Sequence, residues 1–379
     1  MSLLFFSSAL VILYIYLGYP LAVLMASRAR PKIVRAAPIE PNVTILIAAF
    51  NEEKHIGATI ENKLMLEYPQ DKIEIIVISD GSDDDTDKIV ATFADRGVRL
   101  IRQEPRQGKT AAINLAVPQA RGEIIIFSDA NSIYDPKALA CLLRNFADPE
   151  VGYVTGKMIY VNPDGTTVGD GCSMYMKYEN LLRDLETRLG SVVGVDGGID
   201  AVRKSLYKPM RADQLPDFVL PLKVVEQGFR VVYEPEAHLR EEALKQAEDE
   251  YRMRVRVSLR ALWALWDMRA LFDFTRFGTF AWQLFSHKLL RYLGIVFMIM
   301  AYAGNMLIAG KSRVYRIFLL IQTIFYAAAW YAHQLEREGR PLRWLSIPYY
   351  FTLINVAAGH ALLRFLRGEK QVLWTPRKG

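Results

Sequence analysis

Val43-Thr44-Ile45-Leu46-Ile47-Ala48-Ala49-Phe50 is an apolar run that stops abruptly at Asn51-Glu52-Glu53. The same event recurs twice downstream. Ile73-Glu74-Ile75-Ile76-Val77-Ile78-Ser79 ends in Asp80-Gly81-Ser82-Asp83-Asp84-Asp85-Thr86, and Gly122-Glu123-Ile124-Ile125-Ile126-Phe127-Ser128 ends in Asp129-Ala130-Asn131-Ser132. Each run is short, rich in β-branched residues and bounded by polar turn formers, the pattern of a strand buried on both faces. Helix-length segments separate the runs, so strand and helix alternate and a parallel sheet is expected. Ligands of such a sheet bind beyond the carboxyl ends of its strands. Those ends carry Asn51-Glu52, Asp80 and Asp129.

Outward from this stretch, helical spacing occupies 53–66 and 86–95, and a helix from Lys109 to Ala120 is entered through Arg106-Gln107-Gly108. Apolar runs at 151–161 and 230–234 read as further strands, and 170–188 and 216–227 as helices. Residues 42–248 are therefore expected to form one globular α/β domain.

The flanks differ in kind. Residues 3–26 are almost wholly uncharged, long enough for a spanning helix of about 20 apolar residues. They lack the basic start and short core of a signal peptide. Arg28, Arg30, Lys32 and Arg35 follow at once, which by the positive-inside rule places the next segment in the cytoplasm. Pro31, Pro38 and Pro41 make 28–41 a stiff linker. In 249–285, Arg252, Arg254, Arg256 and Arg260 interleave with Leu259, Leu262, Trp263, Leu265, Trp266 and Leu271, a composition suited to a helix lying at a membrane interface. Within 286–368, the stretches 289–309 and 314–332 read as spans. The stretch 345–366 contains Pro348, Asn355 and His360 and reads as broken or partly re-entrant. A basic tail, 369–379, closes the chain. The topology does not close: three spans after an outside N-terminus leave Arg364, Arg367, Lys370, Arg377 and Lys378 outside, against the same rule. Either 345–366 does not cross or the orientation of the first helix is reversed.

With 23% charged residues in 379, wholesale disorder is excluded. The net charge of +6 comes from basic residues beside apolar segments, which points to a bilayer and away from nucleic acid. Cys141 and Cys172 fall in different elements and read as reduced thiols.

Candidate chemistry clusters at the strand ends. Asp80 offers a carboxylate to a nucleotide, and Asp83-Asp84-Asp85 suit the start of the next helix. Asp129 and Asn131 put two oxygen donors on one side of a turn, a set suited to Mg²⁺ or Mn²⁺ beside a diphosphate; a plain strand-end turn explains them equally. Gly108-Lys109-Thr110 is no P-loop, since that motif needs glycine where Gln103 stands. Asp217, after Pro216, is either a helix cap or a general base, and Asp213 is a second candidate.

Taken together, Val43–Glu53, Asp80–Thr86, Gly108-Lys109 with Asn114, Ser128–Asn131, Gly194–Arg203 and Pro216-Asp217 with Gly228 resemble a family 2 glycosyltransferase, and the tail Trp374-Thr375-Pro376-Arg377 extends the likeness. The resemblance implies the GT-A nucleotide-diphospho-sugar transferase fold, a Rossmann-like mixed sheet, plus transmembrane helices. It is to the membrane-bound branch containing cellulose, hyaluronan, chitin-oligosaccharide and poly-N-acetylglucosamine synthases. It implies Ala49, Asn51 and Glu52 around uracil and ribose, Asp80 on the uridine and Lys109 near the nucleotide. Asp129 and Asn131 fall at the metal and diphosphate, and Asp217, eleven residues before Gly228, falls at the base. Asp196, Gly197 and Gly198 fall in the acceptor loop. Two departures stand out. Asn131 replaces a second acid, which weakens the metal site. The Gln-X-X-Arg-Trp signature of processive synthases is absent, its place taken by 249–254, where Arg252 or Arg254 would meet the diphosphate. The implied activity is an inverting, metal-assisted hexosyl transfer from a UDP-sugar to a saccharide or lipid-linked acceptor at a bacterial-type cell membrane, with the catalytic domain cytoplasmic and export or assembly partners available. A processive synthase and a decayed nucleotide-sugar-binding protein are the alternatives.

Overall fold

The computed structural model describes residues 2–161, 166–242 and 246–372. The chain divides into two compact units: Ala29–Ile159 with Glu179–Glu241 and Gln371–Gly379, and Met1–Arg28 with Tyr160–Tyr178 and Glu242–Lys370.

The first unit is built on an eight-stranded sheet of β1 (Val43–Ala49), β2 (Ile73–Asp80), β3 (Val98–Gln103), β4 (Ile124–Asp129), β5 (Ile133–Tyr134), β6 (Val151–Val161), β7 (Ile199–Arg203) and β8 (Arg230–Glu242), in the order β3-β2-β1-β4-β7-β6-β8-β5. The expected alternation produces β3-β2-β1-β4, all parallel. The rest corrects a simple parallel sheet: β7 runs antiparallel to β4 and β6, and β5 antiparallel to β8. The strands that periodicity missed are atypical. β3 is an edge strand in which Arg99 and Arg102 interrupt the apolar residues, β7 has Asp200 and Arg203 among its five residues, and β5 has only two.

Every residue of β1 is buried, as a central strand flanked on both edges requires. Its register pairs Ala49 with Ser79 and Ala48 with Asp129, so β1, β2 and β4 end at one level. This brings Asn51, Asp80 and Asp129 to a single edge.

The loops after β1 and β2 are zipped together. Asn51 takes a left-handed backbone (φ 53), which asparagine tolerates better than most residues. Its backbone N–H donates to Ser82 Oγ (3.2 Å), its Nδ2 to Asp83 Oδ1 (2.6 Å), and its Oδ1 accepts from Asp83 N (3.0 Å). Glu52 N donates to Thr86 Oγ1, and Glu53 N to Asp84 Oδ2. Asp84 also accepts from Thr86 N, and Asp85 pairs with Lys88. Asp83-Asp84-Asp85 thus join two loops, beyond the helix-start role expected of them.

Among the described residues of the second unit, three helices are long and apolar enough to cross a membrane: Ser2–Ala29, Gly294–Lys311 and Arg313–Arg337. The first widens to a π-turn over Tyr14–Gly18, with Tyr19 N donating five residues back to Tyr14 O. This rearranges the ladder just before Pro20, which has no N–H to contribute. Ser346–Leu366 is one continuous helix, correcting the expected break. Pro348 falls in its first turn, where a missing N–H is harmless. Its Ala357 and Ala361 pack on Val255, Leu259 and Leu262 of the helix Ala247–Asp267. The apolar face expected at a membrane interface is therefore covered by protein along this stretch. Buried polar pairs pin the N-terminal helix: Tyr14 to Ser286 and Trp282, and Tyr16 to Asn355. Both cysteines are free thiols.

Candidate active site

Asp80 ends β2 and is fully buried. Gly81 (φ +70) turns the chain beneath the segment 103–108, and a Cβ on it would come 3.2 Å from Arg106 Cβ. The Asp80 carboxylate accepts from the backbone N–H groups of Gln107 (2.9 Å) and Gly108 (2.9 Å) and from the Gln103 amide, with Arg106 Nε 3.6 Å away. Arg106 lies over the Phe50 ring, 3.4 Å from its centroid. In this structure Asp80 is a loop anchor, in place of the open ligand contact expected from the sequence.

Asp129 ends β4 and is partly open. Gly108, with φ +97 at the start of the helix Lys109–Ala116, aims Lys109 back at the sheet. Lys109 Nζ donates to Asp129 Oδ1 at 2.7 Å and lies 3.5 Å from Asp217 Oδ1. Burial alone would lower the Lys109 ammonium, but the charges of Asp129, Asp217 and Asp200 outweigh it and raise its pKa above the ordinary lysine value. Lys109 is thereby held as a cation between two carboxylates.

Asp217 is the second residue of the helix Pro216–Glu226, whose first position is proline and whose cap, Leu215, has no capping side chain. The Asp217 carboxylate approaches Lys109. Gly197 (φ +85) abuts it so closely that a Cβ there would lie 2.7 Å from Asp217 Cγ. The segment leading to Asp217 is fastened by Thr110 Oγ1, which donates to Gln214 O, and by Asn114, which bonds Met210 N and O and the Tyr207 hydroxyl. Asp213 pairs with Arg211 at 3.1 Å and is not the residue brought to Lys109.

Asn131 is half-buried two residues beyond Asp129. Among the described residues no group of three or more His, Cys, Asp or Glu forms a metal cage. One carboxylate plus one amide oxygen is a sparse, hard donor set. It fits a divalent ion that takes most of its ligands from water and substrate phosphates.

Other expected contacts are redirected. Asp196 is buried and paired with Arg183 at 2.6 Å, accepts from Met158 N, and its own N–H donates to Thr155 Oγ1. It supports the loop from inside. Gly198 is closely packed: a Cβ would lie 2.6 Å from Leu239 Cδ2. Ala49 is buried as the last residue of β1, and Glu52 is half-buried. In the other unit, Arg254 donates to Glu250 Oε1 (2.8 Å) and the Tyr350 hydroxyl (2.7 Å), while exposed Arg252 pairs with Glu248 (3.0 Å). Arg254 is a partly buried partner of Glu250. Trp374–Arg377 lies outside the described residues.

Two ionisable residues near this site escaped the sequence reading. Asp200, on β7, is 1% exposed. Burial pushes its pKa up to about 7; the Thr155 and Tyr153 hydroxyls oppose the rise, and Asp217 and Asp196 add to it. Lys63 is completely buried in the helix Ile56–Leu64. Both are charged residues at positions whose spacing is that of a core, and that anomaly was the available signal.

Residues 44–208 match the family described as Glycosyl transferase family 2. The poly-beta-1,6-N-acetyl-D-glucosamine synthase of Staphylococcus aureus (strain COL) is 28% identical over 199 residues, 51% of this chain and 48% of the relative. That of Staphylococcus epidermidis is 26% identical over 201 residues, 52% of this chain and 48% of the relative. The chain therefore spans about half the length of the curated relatives it matches. Among solved structures, the mannosyltransferase PcManGT from Pyrobaculum calidifontis, in complex with GDP-Man and Mn²⁺, superposes with a TM-score of 0.71 over 96% of this chain and 99% of that one, at 21% identity. The fold is that of a GT-A glycosyltransferase.

Proposed function

We propose that this chain, which carries a family 2 glycosyltransferase domain over residues 44–208, moves a hexosyl group from a nucleotide-diphosphate donor, a UDP-sugar, to a saccharide or lipid-linked acceptor, with inversion. The observation that carries the proposal is the pairing of Asp129 and Asp217 through one buried ammonium, at 2.7 and 3.5 Å. One carboxylate belongs to the diphosphate end of a sugar donor and the other to the acceptor end. A residue that touches both sets the distance between them.

Asp217 takes the proton of the acceptor hydroxyl as the acceptor oxygen bonds to the anomeric carbon from the face opposite the diphosphate. The bond from that carbon to the diphosphate oxygen breaks, and its electron pair leaves with the nucleotide. Lys109, fixed as a cation, faces the charge that develops. Asp129 and Asn131 would hold Mg²⁺ or Mn²⁺, which neutralises the diphosphate when bound. Phe50, Asn51, Glu52 and the Asp80-anchored loop would form the nucleoside end.

The three apolar helices and the basic linker after the first favour a membrane enzyme with this domain in the cytoplasm and an acceptor at the bilayer. Transfer of single sugars is favoured by the missing Gln-X-X-Arg-Trp signature. The names of the matched relatives, polymer synthases, favour the processive reading. Release of nucleoside diphosphate from a panel of UDP- and GDP-sugars, with and without Mn²⁺, tests the proposal. Stimulation by one donor is expected, chain length of the product separates the two readings, and absence of nucleotide binding sinks both.

A further inference from the structure

The turn that carries Asp129 and Asn131 rests on one side of the helix Ile56–Leu64. That helix buries Ile56, Thr59, Ile60 and Lys63, the stripe of a core-facing helix. A lysine almost never fills such a position unless its ammonium is fully engaged. Lys63 Nζ lies 2.6 Å from Ser132 O and 3.1 Å from Asn62 Oδ1, and 3.4 Å from the centroid of the Tyr134 ring. Three N–H groups have three acceptors, the third a π face. The neighbouring residues of the same helix reach the same turn. Thr59 Oγ1 donates to Ala130 O at 2.6 Å; Asn62 Nδ2 donates to Tyr134 O at 2.9 Å, and Asn62 Oδ1 accepts from Tyr134 N at 2.8 Å. The Tyr134 hydroxyl continues the chain of contacts, 2.9 Å from Phe127 O and 2.8 Å from Gly198 O, in the loop that abuts Asp217. Burial pulls the Lys63 ammonium well below the ordinary lysine range, and Asp129 opposes that pull. A leucine or methionine in this place would be cheaper for the fold alone.

We propose that Lys63 is a positioning residue for the diphosphate end of the site, gripping the Ser132 carbonyl so that Asp129 and Asn131 keep their orientation. The inference rests on the transferase reading above. It also accounts for a site with one acid: where Asn131 supplies only a neutral oxygen, placement replaces charge, and a rigid turn supplies placement.

The test is calorimetric titration of the full-length protein in detergent with UDP plus Mn²⁺ and, separately, with uridine. Lys63→Met is expected to weaken UDP binding in the presence of Mn²⁺ about tenfold or more, with uridine affinity unchanged. Affinities for both ligands unchanged from the wild type, or a parallel loss of both, would overturn the assignment. Should Lys63→Met fail to fold, Thr59→Val removes the companion bond to Ala130 without touching a charge. It is expected to produce the same selective loss, smaller in size, and no selective loss would overturn the proposal. Wild-type protein that binds neither UDP nor GDP would remove the transferase reading itself, an outcome separate from either variant's.

Discussion

Asp80 and Asp129 occupy matching places, the last residues of the two strands that flank β1, and the protein uses them in opposite ways. Asp80 has no exposure and is surrounded by donors from the segment 103–108, two of them backbone N–H groups. The Asp129 side chain keeps 35% of its exposure, and it pairs with the tip of Lys109, a long side chain that also approaches Asp217. A carboxylate satisfied by backbone is a fixed part of the fold. One satisfied by a lysine tip can exchange that partner for a ligand. Position in the sheet marks where chemistry is possible, and the partner marks which acid is available for it.

The largest expected effect tests the available side. Asp217→Asn removes the proposed base and is expected to lower turnover by about 10²–10⁴-fold, read as nucleotide release, while unfolding temperature stays near that of the wild type. Next, the two strand-end acids should separate cleanly. Asp80→Asn is expected to destabilise by about 1–3 kcal/mol, since a buried amide cannot accept all the bonds the carboxylate does. Asp129→Asn should leave thermal stability nearly unchanged and reduce Mn²⁺-dependent nucleotide affinity. Equal stability losses in both variants would erase the distinction. Gly197→Ala sharpens it further. A side chain at φ +85 that meets the Asp217 carboxylate costs about 1–3 kcal/mol of strain, so kcat is expected to fall along with unfolding temperature. The smallest effect concerns pH. Because the folded protein holds the Asp200 proton up to about pH 7, and the unfolded chain releases it near pH 4, stability contributed by this residue falls as pH rises across that window. Asp200→Asn is expected to flatten the pH dependence of the unfolding temperature between about 4 and 7; an unchanged slope would contradict the assignment.

Much of the parallel half was legible in the sequence, because β1, β2 and β4 announce themselves by apolar runs ending in Asn51, Asp80 and Asp129. The antiparallel half was less so. β7 breaks its own pattern with Asp200, and in β3, an edge strand, Arg99 and Arg102 interrupt the apolar run. Asp129, Lys109 and Asp217 were singled out where motif and element end coincide, and the structure brings the three together. Elsewhere the residue type was legible and its surroundings were not. Asp196 and Arg254 carry the expected charges, yet each faces a buried counter-charge, Arg183 and Glu250, that is far away in sequence or one helical turn back. Lys63 shows the converse: its spacing said core, and only its charge said otherwise.

The most direct test of the account is to measure nucleoside-diphosphate affinity and turnover together in wild type and Asp217→Asn, with the donor that stimulates the wild type. The account predicts that the variant binds the nucleotide with Mn²⁺ as the wild type does and turns over at least about a hundredfold more slowly. Undiminished turnover in a variant that still binds would contradict it, and would move the base away from the Lys109-linked pair.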